Sequence, residues 1–299
     1  MMEDDLMKKI TLNKITMIST ILLFSLAQGV AFAKPNTDDC LSKADNASYT
    51  GPYKGVENNL TLEDFNRDLS CAHAFITKKY PQRFVTIFGS SRIAESNNSG
   101  NKEVDAANDK LYQQIYNLSY NWTKKHASKY PILTGAGPGI MEAGARGASK
   151  AGGPSIGYTT YYGPSRKGES GDATMAFWKY RPAKGKAKNI ISDGLIFTSV
   201  AIRESLMIMH SAAMVFAPGG TGTEWELFQT IEQIKSKQLT PVPIYIVGDK
   251  QIHWQSFYNR LDDMIKRGTI KRHEVEALFV HVDDPQDVLK LLAETLNLN

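Results

Sequence analysis

The apolar positions of this chain switch repeatedly between a helical period and short continuous runs. TLEDFNRDLSCAHAFITKKY, from Thr61, spaces its Leu, Phe, Ala and Ile residues for one helix face. Thr61 is its predicted N-cap, and Asp64 three residues on gives an approximate capping box. RFVTIF, 83–88, reads as a buried strand ended by Gly89-Ser90-Ser91-Arg92. A long helix is predicted over 105–129, with Leu111, Ile115, Leu118 and Trp122 on one face. Residues 131–134 form a short strand running into GAGPGIMEAGARGASKAG, a glycine-rich turn that opens a helix of small residues. A strand at 155–158 follows, then a basic, irregular stretch at 161–188, and 194–198 reads as a strand or a connector. Residues 201–212 are expected to be helical, 213–217 to be a strand entering PGGTGT, and 224–238 to be the helix after it. The rest reads as a strand at 242–247, a helix near 254–267, a strand at 279–282 and a closing helix from Pro285.

Strands alternating with helices in this way imply an α/β fold: a parallel sheet covered on both faces, three layers αβα. No internal repeat or linker divides residues 61–299, which are expected to be a single domain. Residues 34–60 are polar, without period, and punctuated by Asn, Gly and Pro, so they read as an extended N-terminal arm.

Composition narrows the function classes. The 299-residue chain is 42% hydrophobic, enough for a sizeable core, and its net charge of +4 suits phosphorylated small molecules. The basic residues are too scattered for a nucleic-acid surface. No Cys/His spacing suggests a metal site. At the N-terminus, Lys8, Lys9 and Lys14 precede the apolar ITMISTILLFSLAQGVAFA, which ends Ala31-Phe32-Ala33. That is the pattern of a signal peptide over residues 1–33, cleaved after Ala33, with Met7 a more natural start than Met1. The mature protein is then expected to be periplasmic or secreted. No later run is long and apolar enough to span a bilayer, so no stable membrane insertion is expected after cleavage. In an oxidising compartment the two cysteines, Cys40 and Cys71, favour a disulfide, two free buried thiols being the alternative.

Candidate chemistry lies in two strand-to-helix junctions, TGAGPGIMEAG at 134–144 and PGGTGTEWE at 218–226. Loops at the strand C-termini of a parallel sheet converge on one crevice, where helix N-termini bind phosphate through backbone amides. Thr221 and Thr223 add hydroxyl donors. A single such loop is as readily a tight connection. Two of them, with Gly89-Ser90-Ser91 at the first strand end, favour nucleotide binding. Neither is a Walker A, since no Lys follows the glycines. GAGPGI departs from the dinucleotide fingerprint at Gly139 and Ile140, so bound NAD is disfavoured and no cofactor is expected. Arg203 is either a solvated side chain touching Glu204 or, in its otherwise apolar helix, a ligand for phosphate or base. His210 reads as a packed residue, and Met207 and Met209 as core.

These motifs resemble the Lonely Guy (LOG) family, often mislabelled as lysine decarboxylases. Its PGGxGTxxE hallmark is matched by Pro218, Gly219, Gly220, Gly222, Thr223 and Glu226, and Arg203 stands fifteen residues before the Pro. The longer bacterial branch is matched by FGSSR at 88–92 and TGAGPGIMEA at 134–143. The resemblance implies a Rossmann-like doubly wound sheet, a homodimer with the site near its interface, and a nucleoside 5′-monophosphate phosphoribohydrolase. Glu226 and Arg203 would be the catalytic pair. Gly219, Gly220, Thr221, Gly222 and Thr223 would hold phosphate, and Ser90, Arg92, Gly137, Pro138 and Met141 would line the nucleotide pocket. The chain departs from the family where an Arg-Lys pair becomes Arg203-Glu204 and the preceding Glu becomes Ile202. The competing function class is a non-catalytic nucleotide-binding or sensing protein on the same scaffold. A pyridoxal-phosphate lysine motif is not evident, which argues against a decarboxylase.

Overall fold

Phe84–Phe88 shows why the strands form where they do: all five residues are buried, as a strand covered on both faces requires. The computed structural model describes residues 40–43, 47–51, 59–160, 179–180 and 188–298. The expected signal peptide lies outside them, as does most of the basic stretch at 161–188. The chain divides into two units, Met1–Asn36, also outside the described residues, and Thr37–Asn299, to which the following refers.

The strands are β1 (Leu41–Lys43), β2 (Ala47–Tyr49), β3 (Phe84–Phe88), β4 (Ile132–Thr134), β5 (Ser155–Thr160), β6 (Lys179–Tyr180), β7 (Lys188–Asn189), β8 (Asp193–Phe197), β9 (Ser211–Phe216), β10 (Ile244–Val247) and β11 (Val280–Val282). The helices are α1 (Leu62–Lys79), α2 (Lys102–His126), α3 (Ile140–Lys150), α4 (Val200–Met209), α5 (Thr221–Lys235), α6 (Lys250–His253), α7 (Gln255–Lys266), α8 (His273–Glu276) and α9 (Val288–Thr295). Among the described residues, nine strands form one sheet in the order β1-β2-β8-β5-β4-β3-β9-β10-β11, while β6 and β7 pair separately. Within the large sheet only β1 and β2 are antiparallel; every other neighbouring pair is parallel.

Alternation along the strands sorts side chains into two cores. Phe84, Phe88, Leu133, Met214, Phe216, Ile244 and Ile246 pack with α1, α4, α5 and α7 on one face. Val85, Ile87, Ile132, Ala213, Val215, Tyr245 and Val247 pack with α2, α3 and α9 on the other. This is the three-layer, doubly wound Rossmann-like architecture that the alternating pattern implies. The chain runs outward from β3 through β4 and β5 to β8, then returns through α4 to β9 beside β3. The order therefore reverses between β3 and β9, where Phe88 and Phe216 lie in register with their rings stacked 4.6 Å apart.

Several assignments differ from the sequence reading. Helix α2 runs Lys102–His126, three residues earlier at each end than expected, because Asn101 caps it. Helix α4 ends at Met209 because Ser211 already belongs to β9, paired with Phe84 and hydrogen-bonded to Thr86 at 2.6 Å. Helix α5 starts at Thr221, three residues before the expected Glu224. Glycine and threonine are poor helix formers, so apolar periodicity shows only after the helix has begun. Finally, part of the polar arm is sheet: β2 pairs in parallel with β8, and Thr50 N–H donates to the Ile196 carbonyl at 3.0 Å.

A buried carboxylate secures that junction. Asp68 of α1, with no exposed surface, accepts the Thr50 hydroxyl and the backbone N–H groups of Thr198 and Ser199, both at 2.9 Å. Ser199 is the N-cap of α4, so Asp68 fixes where that helix begins. Cys40 and Cys71 form a disulfide that ties the N-terminal segment to α1 across a sequence separation of 31. Closing a loop of this length contributes about 3–4 kcal/mol in the chain-entropy description. Urea unfolding with and without reductant is expected to show a loss of that order. An unchanged midpoint would mean that the bridge carries no stability.

Candidate active site at the strand reversal

The loops leaving β3, β4 and β9 are stitched together by backbone hydrogen bonds. Ala217 N–H donates to the Phe88 carbonyl at 2.9 Å, Ser90 N–H to Pro218 at 3.0 Å, and Ile140 N–H to Ser90 at 2.9 Å. The last contact requires Gly139, whose φ of 71° lies in the left-handed region and whose missing Cβ would sit 2.7 Å from the Ser91 carbonyl carbon. Between these loops, above β3 and β9, opens a cleft of about 690 Å³.

Eleven of the twelve residues expected in the site line this cleft: Ser90, Arg92, Gly137, Pro138, Met141, Arg203, Gly220, Thr221, Gly222, Thr223 and Glu226. Gly219 does not. A Cβ on this exposed glycine would collide with Thr223 Oγ1, so its role is to admit the Thr223 side chain. Gly220 is the N-cap of α5, and no side chain caps that terminus. The bond from Glu224 N–H to the Gly220 carbonyl, at 3.0 Å, is the first the helix can make. The amides of Gly220, Thr221, Gly222 and Thr223 therefore lack intrahelical acceptors at the wall of the cleft, with the positive end of the helix dipole behind them. This arrangement suits an anion.

Farther along the cleft the character changes. Glu226, in the second turn of α5, is 7% exposed, and Arg203 of α4 is 6% exposed. One guanidinium nitrogen, Arg203 Nη2, lies 2.8 Å from Glu204 Oε1 and 3.5 Å from Glu226 Oε1. The other, Nη1, donates to Met207 Sδ at 3.2 Å. Burial pushes the Glu226 carboxyl up to about 7; Arg203 opposes the shift and Glu204 adds to it. A carboxyl balanced near neutrality is suited to proton transfer.

Several contributors were not evident from the sequence. Gly135 makes room for Arg203, since a Cβ there would lie 2.8 Å from Nη1. Glu204 lines the cleft; its contact with Arg203 is the one expected, but Arg203 is buried, so the solvated reading of that contact does not hold. Met207, expected in the core, is fully buried and also borders the cleft, whereas Met209, also expected there, is the last residue of α4 and is 48% exposed. Within the MEA motif, Met141 faces the cleft while Glu142 turns away and accepts the Tyr112 hydroxyl at 2.5 Å. His210 is packed as expected: the Tyr158 hydroxyl lies 3.0 Å from its Nδ1, and burial pushes its pKa down to about 4.

A family model described as "Possible lysine decarboxylase" matches residues 141–292. No functionally curated protein aligns significantly with the sequence. Among solved structures, the molybdenum cofactor binding protein of the phototrophic bacterium Rippkaea orientalis is similar at 14% identity, over 71% of this chain and 96% of that one, with a TM-score of 0.43. The molybdenum cofactor carrier protein of Chlamydomonas reinhardtii is similar at 16% identity, over 72% and 98% of the two chains, also with a TM-score of 0.43.

The Glu226 shift has a stability consequence. Its folded pKa near 7 exceeds its ordinary value of 4.5, so the native state loses stability as pH rises between those values. Glu226→Gln removes that titration. Relative to the unsubstituted protein, the variant should gain on the order of 3 kcal/mol between pH 5 and pH 8. Thermal melts across that range test this, and a pH-independent difference would contradict it.

Proposed function

The chain belongs to the Lonely Guy family, whose model is described as possible lysine decarboxylase, and from that premise we propose that it hydrolyses the N-glycosidic bond of nucleoside 5′-monophosphates. The products are a free base and ribose 5-phosphate. One observation carries the reading: the buried Arg203–Glu226 pair shares a cleft with an uncapped helix N-terminus, so anion binding and proton chemistry have separate places.

In this reading the 5′-phosphate docks on the amides of Gly220, Thr221, Gly222 and Thr223. Glu226, one turn farther along α5, then faces the ribose. Cleavage develops positive charge at the anomeric carbon and ring oxygen, which a carboxylate stabilises. The same carboxylate takes a proton from the attacking water, whose oxygen bonds to the anomeric carbon as the bond to the base nitrogen breaks. Arg203 offsets the negative charge leaving with the base, and the proton that Glu226 took from the water passes to the base nitrogen, which restores the carboxylate. Binding at the remote phosphate fixes the ribose for attack. Arg92, Pro138 and Met141 border the nucleotide.

Decarboxylation through a pyridoxal-type imine fits poorly, because no lysine is among the described residues lining the cleft. A homodimer is part of the proposal, supported by the exposure of Val200 and Met209 on α4 and Trp225 on α5. Export after cleavage at Ala33 is likewise proposed, on the sequence pattern alone.

The test is a substrate panel of AMP, GMP, CMP and an N6-substituted AMP. Release of base and ribose 5-phosphate is expected, with turnover reduced roughly 100-fold or more in Glu226→Gln. Tight binding without base release would instead mark a nucleotide-binding protein, and full activity in the variant would remove Glu226 from the mechanism.

A further inference from the structure

A buried carboxylate, Glu226, and a half-buried one, Glu204, meet one guanidinium in the cleft. The side chains of Arg203, Glu204 and Glu226 are 7%, 15% and 9% exposed. The hydrogen bond at 2.8 Å goes to Glu204, and Glu226 is left at 3.5 Å. Charge-assisted hydrogen bonds between guanidinium and carboxylate fall at about 2.7–2.9 Å, so only the first distance is that of a made bond. The asymmetry is built into the frame. Helix α4 is fixed at its start by the Ser199 cap, and Ser205 accepts a hydrogen bond from Gln229 Nε2 of α5 at 2.9 Å. The guanidinium is confined between Gly135 and Met207.

We propose that Glu204 is a positioning residue for the chemistry of Glu226: by holding Arg203 at hydrogen-bond distance, it leaves the Glu226 carboxylate under-neutralised and able to take and return a proton. The charged surroundings agree. From α4, Arg203 and Glu204 face Glu226 with opposite effects. On its own helix, Glu224 is engaged with Arg260 at 2.7 Å. From the loop after β3, Arg92 borders the cleft with an exposed side chain. The loop after β4 and the start of α3 contribute Gly135, Gly137, Pro138 and Met141, none of which titrates. Removing the Glu204 charge takes away a like charge and releases Arg203 toward Glu226, and both changes favour the ionised carboxylate. The kinetic form of this inference rests on the hydrolase reading; the protonation of Glu226 does not.

The test is E204Q in the full mature protein, read in two ways. For nucleotide hydrolysis, the acid limb of kcat/KM against pH should move down by about one pH unit or more. Independently of activity, the pH range over which E226Q gains stability should move down by a similar amount when measured in the E204Q background. An unmoved limb and an unmoved stability range overturn the proposal. If the unsubstituted protein releases no base, the hydrolase reading fails and the stability measurement alone decides. E204A, judged by the same readouts, replaces E204Q if that variant does not fold.

Discussion

The parallel pairing of β3 with β9 is the contact on which the remaining structure depends. These strands are distant in sequence, and the chain can join them only by crossing back through α4 from the far side of the sheet. That crossing creates the divergence of loops above Phe88 and Phe216 where a parallel sheet leaves room for a ligand. It also sets the register between α4, which carries Arg203 and Glu204, and α5, which carries Glu226. Asp68 holds α4 from below, through the N–H groups of Thr198 and Ser199, and the Cys40–Cys71 bridge ties the N-terminal strands to the helix that bears Asp68.

At the cleft this frame keeps features that a stability-optimised core would lack. A helix terminus with no capping side chain leaves amides without intrahelical acceptors, and a buried carboxyl sits with incomplete compensation from its neighbouring guanidinium. Both are unfavourable to folding and favourable to binding and proton transfer. They lie on adjacent turns of one helix. A ligand with an anionic end and a reacting centre one turn away would relieve both at once.

Much of this was legible in the sequence because backbone chemistry demands particular residues. Gly139 has to adopt a left-handed conformation against Ser90 and Ser91, and no other residue enters that space readily, so the loop at 134–144 advertises itself. Arg203 stands out in an apolar helix, and Glu226 by its spacing from the glycines. The alternating buried runs gave the sheet and its two covered faces. What stayed hidden depends on tertiary neighbours. Asp68 looks like any surface acid of an amphipathic helix until Thr50 and Thr198 close over it. Strands β1 and β2 are short and polar and have no period to read. The Arg203–Glu204 contact was legible only as a solvated one, because adjacent helix positions do not normally face one another, and nothing placed Glu204 in the cleft.

The claim that the α5 terminus binds the phosphate while Glu226 acts elsewhere is tested most directly by calorimetric titration of the Glu226→Gln protein, which should hold substrate without consuming it. AMP is expected to bind about 100-fold more tightly than adenosine, the difference that one or two charge-assisted amide hydrogen bonds supply. Equal affinity for the two would contradict a phosphate cradle at Gly220–Thr223 and, with it, the division of labour along the cleft.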